Sequence, residues 1–346
     1  MASVEPLDLA ETVIKPAAVA LYTQLSPEEL AAVAGAFRLG ALRAARGIPH
    51  GSINTNYRLQ TDSGVYFLRH TTVRSPADLD FEAAFISHLV AGGFPAPTLV
   101  RTAGGGCFLE IAGGRASIFQ HLPGEELTRK ALTPERCEQL GGQLAKLHRI
   151  ANSFSGDRQN PYSPGTVQRW LNELAGHPEA EIAALAHELQ AFLEEAQSFE
   201  GGLLPRGAIH ADLFMDNVKW VGERISAFFD FEMACRDTFA LDIAITLNAW
   251  CFDGRYRPEL CRGFIRGYQA RRPLCAIEAQ ALYFQALFGA VRYCASRIRD
   301  FHLSPLPPER LARKDYRTYL ARARALHQMQ PTDFQRMLGV EVGKKS

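Results

Sequence analysis

The chain has 346 residues, 47% of them hydrophobic, which is material for one large or two packed cores. Its 38 Lys and Arg against 37 Asp and Glu leave a net charge of +1, so it lacks the one-signed field that draws in nucleic acid or an anionic membrane, and a small-molecule partner is expected. The seven cysteines are odd in number and scattered, without CxxC pairs or metal-ligand spacing, and no run reaches the roughly 18 apolar residues of a membrane span; a cytoplasmic protein is expected.

Residues 1–20 carry little patterning and read as an N-terminal extension. Ser26-Pro27-Glu28-Glu29 then marks a helix start, with an N-cap, a first-turn proline and acidic residues, and the helix runs to about Phe37. Two strand-like runs, 56–61 and 65–69, flank Asp62-Ser63-Gly64 as a hairpin. Ser75-Pro76 opens a helix to Ala91, and short strands are expected near 107–111 and 115–121. The reading for residues 21–121 is a small antiparallel sheet with one helix on it, an N-lobe. After Leu122-Pro123-Gly124 the periodicity becomes helical, over 133–147, 165–175, 178–199, 238–251, 257–270 and 276–299. Only a hairpin over 218–231, turned at Gly222, interrupts this larger helical C-lobe of 122–346. The fold class expected is α+β, with two lobes.

That hairpin gives meaning to the polar run IHADLFMDN at 209–217. A strand leaving Asn217 and returning to Asp230 brings its two ends together, and an amide oxygen beside a carboxylate suits a hard cation such as Mg²⁺. Asp212, five residues before Asn217, is then within reach of a substrate hydroxyl and can take its proton as it attacks a phosphoryl group. His210-Ala-Asp212-Leu-Phe-Met-Asp-Asn217 has the spacing of the kinase catalytic loop HxDLxxxN, and Asp230-Phe231-Glu232 stands where kinases carry DFG. His210 is read as orienting the loop and Asp242 as a buried brace bonded to loop backbone.

A phosphotransferase also needs a phosphate cover, a cation for the phosphates and an anchor for that cation. The run 46–56 is a sparse glycine loop in which Gly51, Ser52, Asn54 and Asn56 are the candidates. Arg69 ends the second hairpin strand where kinases have a lysine, and Glu82 falls on the stripe of Leu79, Ile86 and Leu89, so the two are expected to pair. Gln120 and Leu122, through main chain, are the candidates for an adenine contact.

These residues resemble the aminoglycoside phosphotransferase and choline kinase superfamily, small-molecule kinases with a protein-kinase-like fold, over roughly residues 22–335. Residues 207–218, 229–235 and 241–252 are most similar to the homoserine kinases within it, although the tyrosine usual after Asp-Phe is replaced by Glu232. The resemblance implies transfer of phosphate from ATP to L-homoserine toward threonine, with Asp212 as base, Asn217 and Asp230 on Mg²⁺, and a monomer or homodimer. The amino acid would need a cation, an ammonium acceptor and an apolar wall, for which Arg236, Asp237, Asn248 and Trp250 are candidates. Two alternatives stay open: a kinase of another small alcohol such as choline, an amino sugar or a methylthioribose-like sugar, and a nucleotide-binding pseudokinase, suggested by Arg69 and the thin glycine loop.

Overall fold

The structure is a computed structural model and describes residues 23–48, 54–303 and 314–340. The chain divides into two compact units, one holding described residues 23–83 and 97–121, the other 84–96, 122–303 and 314–340.

In the first unit, helix α1 (Pro27–Ala36) starts at a reciprocal cap in which Glu29 N–H donates to Ser26 Oγ and Ser26 N–H to the Glu29 carboxylate. Strands β1 (Leu42–Ile48), β2 (Thr55–Thr61), β3 (Gly64–Thr71), β4 (Leu99–Val100) and β6 (Gly114–Gln120) lie in the antiparallel order β1-β2-β3-β6-β4, with β5 (Leu109–Ile111) also on β6. The face toward α1 buries Leu30, Val33, Phe37, Tyr57, Leu59, Leu68 and Ile118. Strand β1 was not expected. Its residues Arg46 and Gly47 pair with Arg58 and Tyr57, so the run read as a glycine loop is strand up to Ile48. The helix α2 (Pro76–Ala91) begins in this unit and ends in the second.

The second unit is mainly helical: α3 (Pro134–Ala151), α4 (Pro164–Ala175), α5 (Ala180–Gln197), α6 (Phe239–Trp250), α7 (Pro258–Gln269), α8 (Ala276–Arg297), α9 (Arg317–His327) and α10 (Pro331–Leu338). Two small ribbons interrupt it. The expected hairpin is β8 (Val218–Val221) and β9 (Arg224–Phe228), turned at Gly222 with φ +57°. The other, β7 (Arg206–Ile209) against β10 (Cys235–Thr238), brackets the run His210–Ala234 and sets Ile209 opposite Cys235. Helix α6 is buried on all sides, and no described helix is long and apolar enough to cross a membrane.

Candidate active site

Chain leaving β7 at His210 turns sharply, with Ala211 at φ +61°. An alanine there is strained, and the surrounding bonds must hold it. Asp242, fully buried near the start of α6, accepts the His210 N–H at 2.9 Å and the Ala211 N–H at 2.8 Å. It is the backbone brace expected. His148 on α3 donates Nε2–H to the same carboxylate at 2.9 Å while its Nδ1 accepts the Tyr268 hydroxyl at 2.7 Å. Burial pulls the His148 imidazole below its ordinary value despite the adjacent carboxylate. Burial also works to raise Asp242, but His148, His210 and the loop N–H groups outweigh it and hold the carboxyl low. The network is therefore a neutral imidazole orienting an ionised brace.

His210 itself is fully buried, its Nε2 3.1 Å from the Phe229 carbonyl and its ring 4.7 Å from that of Phe231. A carbonyl only accepts, so Nε2 carries the proton, and burial keeps this imidazole neutral as well. Later carbonyls of the loop are also answered: Leu213 O accepts Trp250 Nε1–H at 2.9 Å, and Phe214 O accepts Asn217 N–H at 3.1 Å.

Asp212 is half-buried at the end of this turn. Its Oδ1 lies 2.6 Å from the Tyr293 hydroxyl, which also lies 2.8 Å from Ala211 O, and its Oδ2 lies 3.3 Å from Asn217 Nδ2. Asn217 Nδ2 donates at 2.7 Å to the Asp212 carbonyl, which fixes the amide flip and leaves Asn217 Oδ1 as the free-standing acceptor. Asn217 O accepts the Phe229 N–H at 3.1 Å, so Asp230 follows directly beside Asn217, as the hairpin requires. Asp230 is in the left-handed region, φ 62° and ψ 62°, capping the short turn Phe231–Met233. An amide oxygen and a carboxylate form an all-oxygen donor pair, which fits a hard divalent cation that keeps several waters and phosphate oxygens.

The four substrate candidates separate. Asn248 is fully buried, its Nδ2 donating to Ala286 O and its Oδ1 accepting from Tyr256, and Trp250 is 1% exposed with its indole N–H on Leu213 O. Both belong to the packing under the loop, because α6 has no exposed face, and Trp250 also lines a small cavity with Arg129, Leu132, Phe252 and Leu260. Asp237 accepts Asn160 Nδ2 at 2.8 Å and the Thr238 N–H at 2.7 Å, which occupies its carboxylate in a turn. Arg236, half-buried on β10 opposite Ala208, has a guanidinium with no hydrogen bond, ion pair or ring contact among the described residues.

In the first unit, Arg69 and Glu82 pair at 2.8 Å and both are buried. Arg74, which sequence reasoning missed, binds the other Glu82 oxygen. Burial works to raise the Glu82 carboxyl, but the two guanidinium groups outweigh it and hold it below its ordinary value. Register places Asn56 directly opposite Arg69, and Arg69 opposite Ser117, so the three share one sheet face. The Arg69 guanidinium also lies 5.2 Å from the Phe119 ring centroid. Asn54 is 7% exposed at the entry to β2, whereas Gly51 and Ser52 lie outside the described residues. The Gln120 N–H donates to Thr98 O at 2.9 Å, and the Leu122 backbone makes no hydrogen bond among the described residues.

Sequence reasoning also missed Tyr293 and its neighbour Arg292. Their signal was present: an Arg-Tyr pair inside the apolar run 286–295 of α8, where a charge has no reason to be buried unless something answers it.

Residues 44–274 match the phosphotransferase enzyme family. Similar curated proteins include the homoserine kinase of Parvibaculum lavamentivorans, 35% identical with 88% of this chain and 95% of that protein covered, and that of Methylocella silvestris, 36% identical with 83% and 90% covered. Among solved structures, amicoumacin kinase in complex with AMP-PNP, Ca²⁺ and Ami has a TM-score of 0.65 at 20% identity, covering 83% of this chain and 89% of that one. An aminoglycoside phosphotransferase from Alicyclobacillus acidocaldarius has a TM-score of 0.64 at 18% identity, covering 92% and 98%. At such identities the likeness speaks to fold, and it agrees with the sheet and helical units expected from the sequence. The family match and the full-length curated relatives reach further: the chain belongs to the phosphotransferase enzyme family, is related within it to the homoserine kinases, and is a small-molecule kinase.

Proposed function

We propose that this kinase transfers the terminal phosphoryl group of ATP directly to the hydroxyl of L-homoserine, giving ADP and O-phospho-L-homoserine on the way to threonine. The observation that carries the reading is the Asp212 carboxylate, held by Tyr293 and Asn217 at the end of a loop whose backbone Asp242 braces. The homoserine assignment rests on the relatives of that name.

Asp212 takes the proton from the substrate hydroxyl as its oxygen bonds to phosphorus and the bond to ADP breaks. Tyr293 keeps one carboxylate oxygen oriented while the base works. Asn217, through Oδ1, and Asp230 would hold Mg²⁺, which when bound supplies charge neutralisation on the phosphate oxygens. Asn54, Asn56 and Arg69, the last fixed by Glu82, are the first unit's contribution to ATP, with Gly51 and Ser52 in the same run, and the Leu122 main chain is a candidate for the base. Seven free thiols support a reducing, cytoplasmic setting.

Release of ADP, measured with a panel of L-homoserine, choline, an amino sugar and methylthioribose with and without Mg²⁺, tests the substrate. Turnover on homoserine that needs the metal is expected. Preference for another alcohol would replace the acceptor, and ATP binding without turnover on any would mark a non-catalytic protein. Asp212→Asn should lower kcat by roughly 10²–10⁴-fold, the worth of a general base, with an unchanged circular dichroism spectrum. A variant that retains full activity removes Asp212 as the base.

A further inference from the structure

Arg292 is 2% exposed, and although the nearby Asp212 charge and the Tyr293 and Tyr162 hydroxyls favour its charged form, no carboxylate among the described residues is in ion-pair contact with it. Among the described residues it enters no ion pair, its Nε has no acceptor, and its one hydrogen bond is from Nη1 to Ala211 O at 3.3 Å. The other buried arginines are answered: Arg69 and Arg74 by Glu82, and Arg322 by the carbonyls of Asn248 and Thr318. Nor does the loop need Arg292 as a brace, because the Tyr293 hydroxyl already reaches the same Ala211 oxygen at 2.8 Å. A buried guanidinium with unused donors is costly unless an acceptor arrives with a ligand.

The surroundings define what that acceptor is. The guanidinium lies between two rings, 4.3 Å from the centroid of Tyr162 and 4.1 Å from that of Tyr293, so its plane is held and its faces are dry. What remains for a ligand is the edge, a fork of N–H donors matched to a carboxylate. Distance to the chemistry is short: Arg292 and Tyr293 share the Ala211 carbonyl, and Tyr293 is 2.6 Å from the Asp212 carboxylate. In an extended 4-hydroxy-2-aminobutanoate the hydroxyl oxygen and the carboxylate carbon are four bonds apart, on the order of 5 Å. A molecule of that length can present its hydroxyl to Asp212 and its carboxylate to Arg292.

We propose that Arg292, clamped between Tyr162 and Tyr293, binds the α-carboxylate of the acceptor and makes the enzyme select the hydroxy amino acid over the amino alcohol of the same chain. The inference rests on the homoserine reading and adds to it the residue that determines specificity. Arg236, half-buried on β10 and also without a side-chain hydrogen bond or ion pair among the described residues, makes no ring contact with Tyr162 or Tyr293.

The experiment compares L-homoserine with 3-amino-1-propanol, which is homoserine without its carboxylate, in the full-length wild type and in Arg292→Gln. Homoserine kcat/KM should fall about 100-fold or more in the variant, mainly through KM, as expected when a bidentate charge-assisted contact is lost. Activity on 3-amino-1-propanol should stay within about threefold, since that acceptor never used the contact. Equal losses on both acceptors would mean that Arg292 supports the loop, and would overturn the proposal. If Arg292→Gln does not fold, Arg292→Lys keeps the charge and removes the fork; a loss confined to homoserine supports the proposal, and parallel losses overturn it. A wild type that phosphorylates 3-amino-1-propanol but not homoserine contradicts the substrate reading itself, an outcome visible before any variant is made.

Discussion

Tyr293 supplies a hydroxyl 2.6 Å from the Asp212 carboxylate and 2.8 Å from the Ala211 carbonyl. It has one proton for two acceptors, so it ties the position of the base to the strained turn that carries it. Burial pushes its phenol well above the ordinary value, so it remains a donor across the working pH range. Tyr293→Phe removes the bond and leaves the ring packing against Phe214 and Tyr319. A hydrogen bond to a charged group of this kind corresponds to a loss in kcat of roughly tenfold to a hundredfold, with little change in KM for ATP. An unchanged kcat in steady-state assays would show that Asp212 is held by Asn217 alone. Asp212, Asn217 and Asp230 were legible in the sequence because their spacing depends on one loop and one hairpin, both local. Tyr293 and Arg292 come from a helix some 80 residues further on, and only packing brings them to the loop. Asn248 and Trp250, read as candidates from their proximity in sequence to Asp230, lie on a helix buried on every side.

Among the elements, α3 and α7 determine where the brace sits, because α3 carries His148 and α7 carries Tyr268. Their backbones pack closely, and glycine makes the approach possible. A Cβ built at Gly267 would lie 1.9 Å from the Glu138 carbonyl oxygen, and one at Gly141 would lie 2.0 Å from that of Phe264. Both obstacles are main chain, which no side-chain rotamer can relieve, so the helices themselves would have to move apart. Gly267→Ala should therefore destabilise by about 3 kcal/mol despite alanine's better helix propensity. It should also lower kcat as His148 and Asp242 lose register; a urea midpoint equal to that of wild type would sink this account. The helices were readable from periodicity and from starts such as Ser26-Pro27 and Ser75-Pro76. Strands β7 and β10 were not, since four residues each are too short for a period and their pairing spans 26 residues or more. Strand β1 was hidden by its own composition, Leu-Arg-Ala-Ala-Arg-Gly-Ile, which offers neither strict alternation nor β-branched residues before its end.

For the whole molecule, acid should act on the two units in different pH windows. The second unit buries two histidines, His148 and His210, both with imidazoles held below the ordinary 6.5 by burial. Unfolded, each binds a proton as pH falls through about 6.5; folded, neither does until the pH is lower still. The unfolded state thus takes up more protons, and stability falls with decreasing pH from about 6.5, by up to about 1.4 kcal/mol per pH unit for each histidine. Glu82 in the first unit has its carboxyl held below the ordinary 4.5. Its contribution is fully present above that value and is lost only as pH falls below it and through its folded value. The three tryptophans, Trp170, Trp220 and Trp250, all belong to the second unit, so their fluorescence reports that unit while far-ultraviolet circular dichroism reports both. Urea titrations between pH 8 and 4 should show the tryptophan midpoint falling first, below about pH 6.5, and His210→Asn should reduce that slope by one proton's worth. A tryptophan midpoint that stays level between pH 7 and 5.5 would mean that these imidazoles are protonated in the folded protein. The neutral network behind Asp242 would then have to be abandoned, and with it the account of why the turn at Ala211 holds.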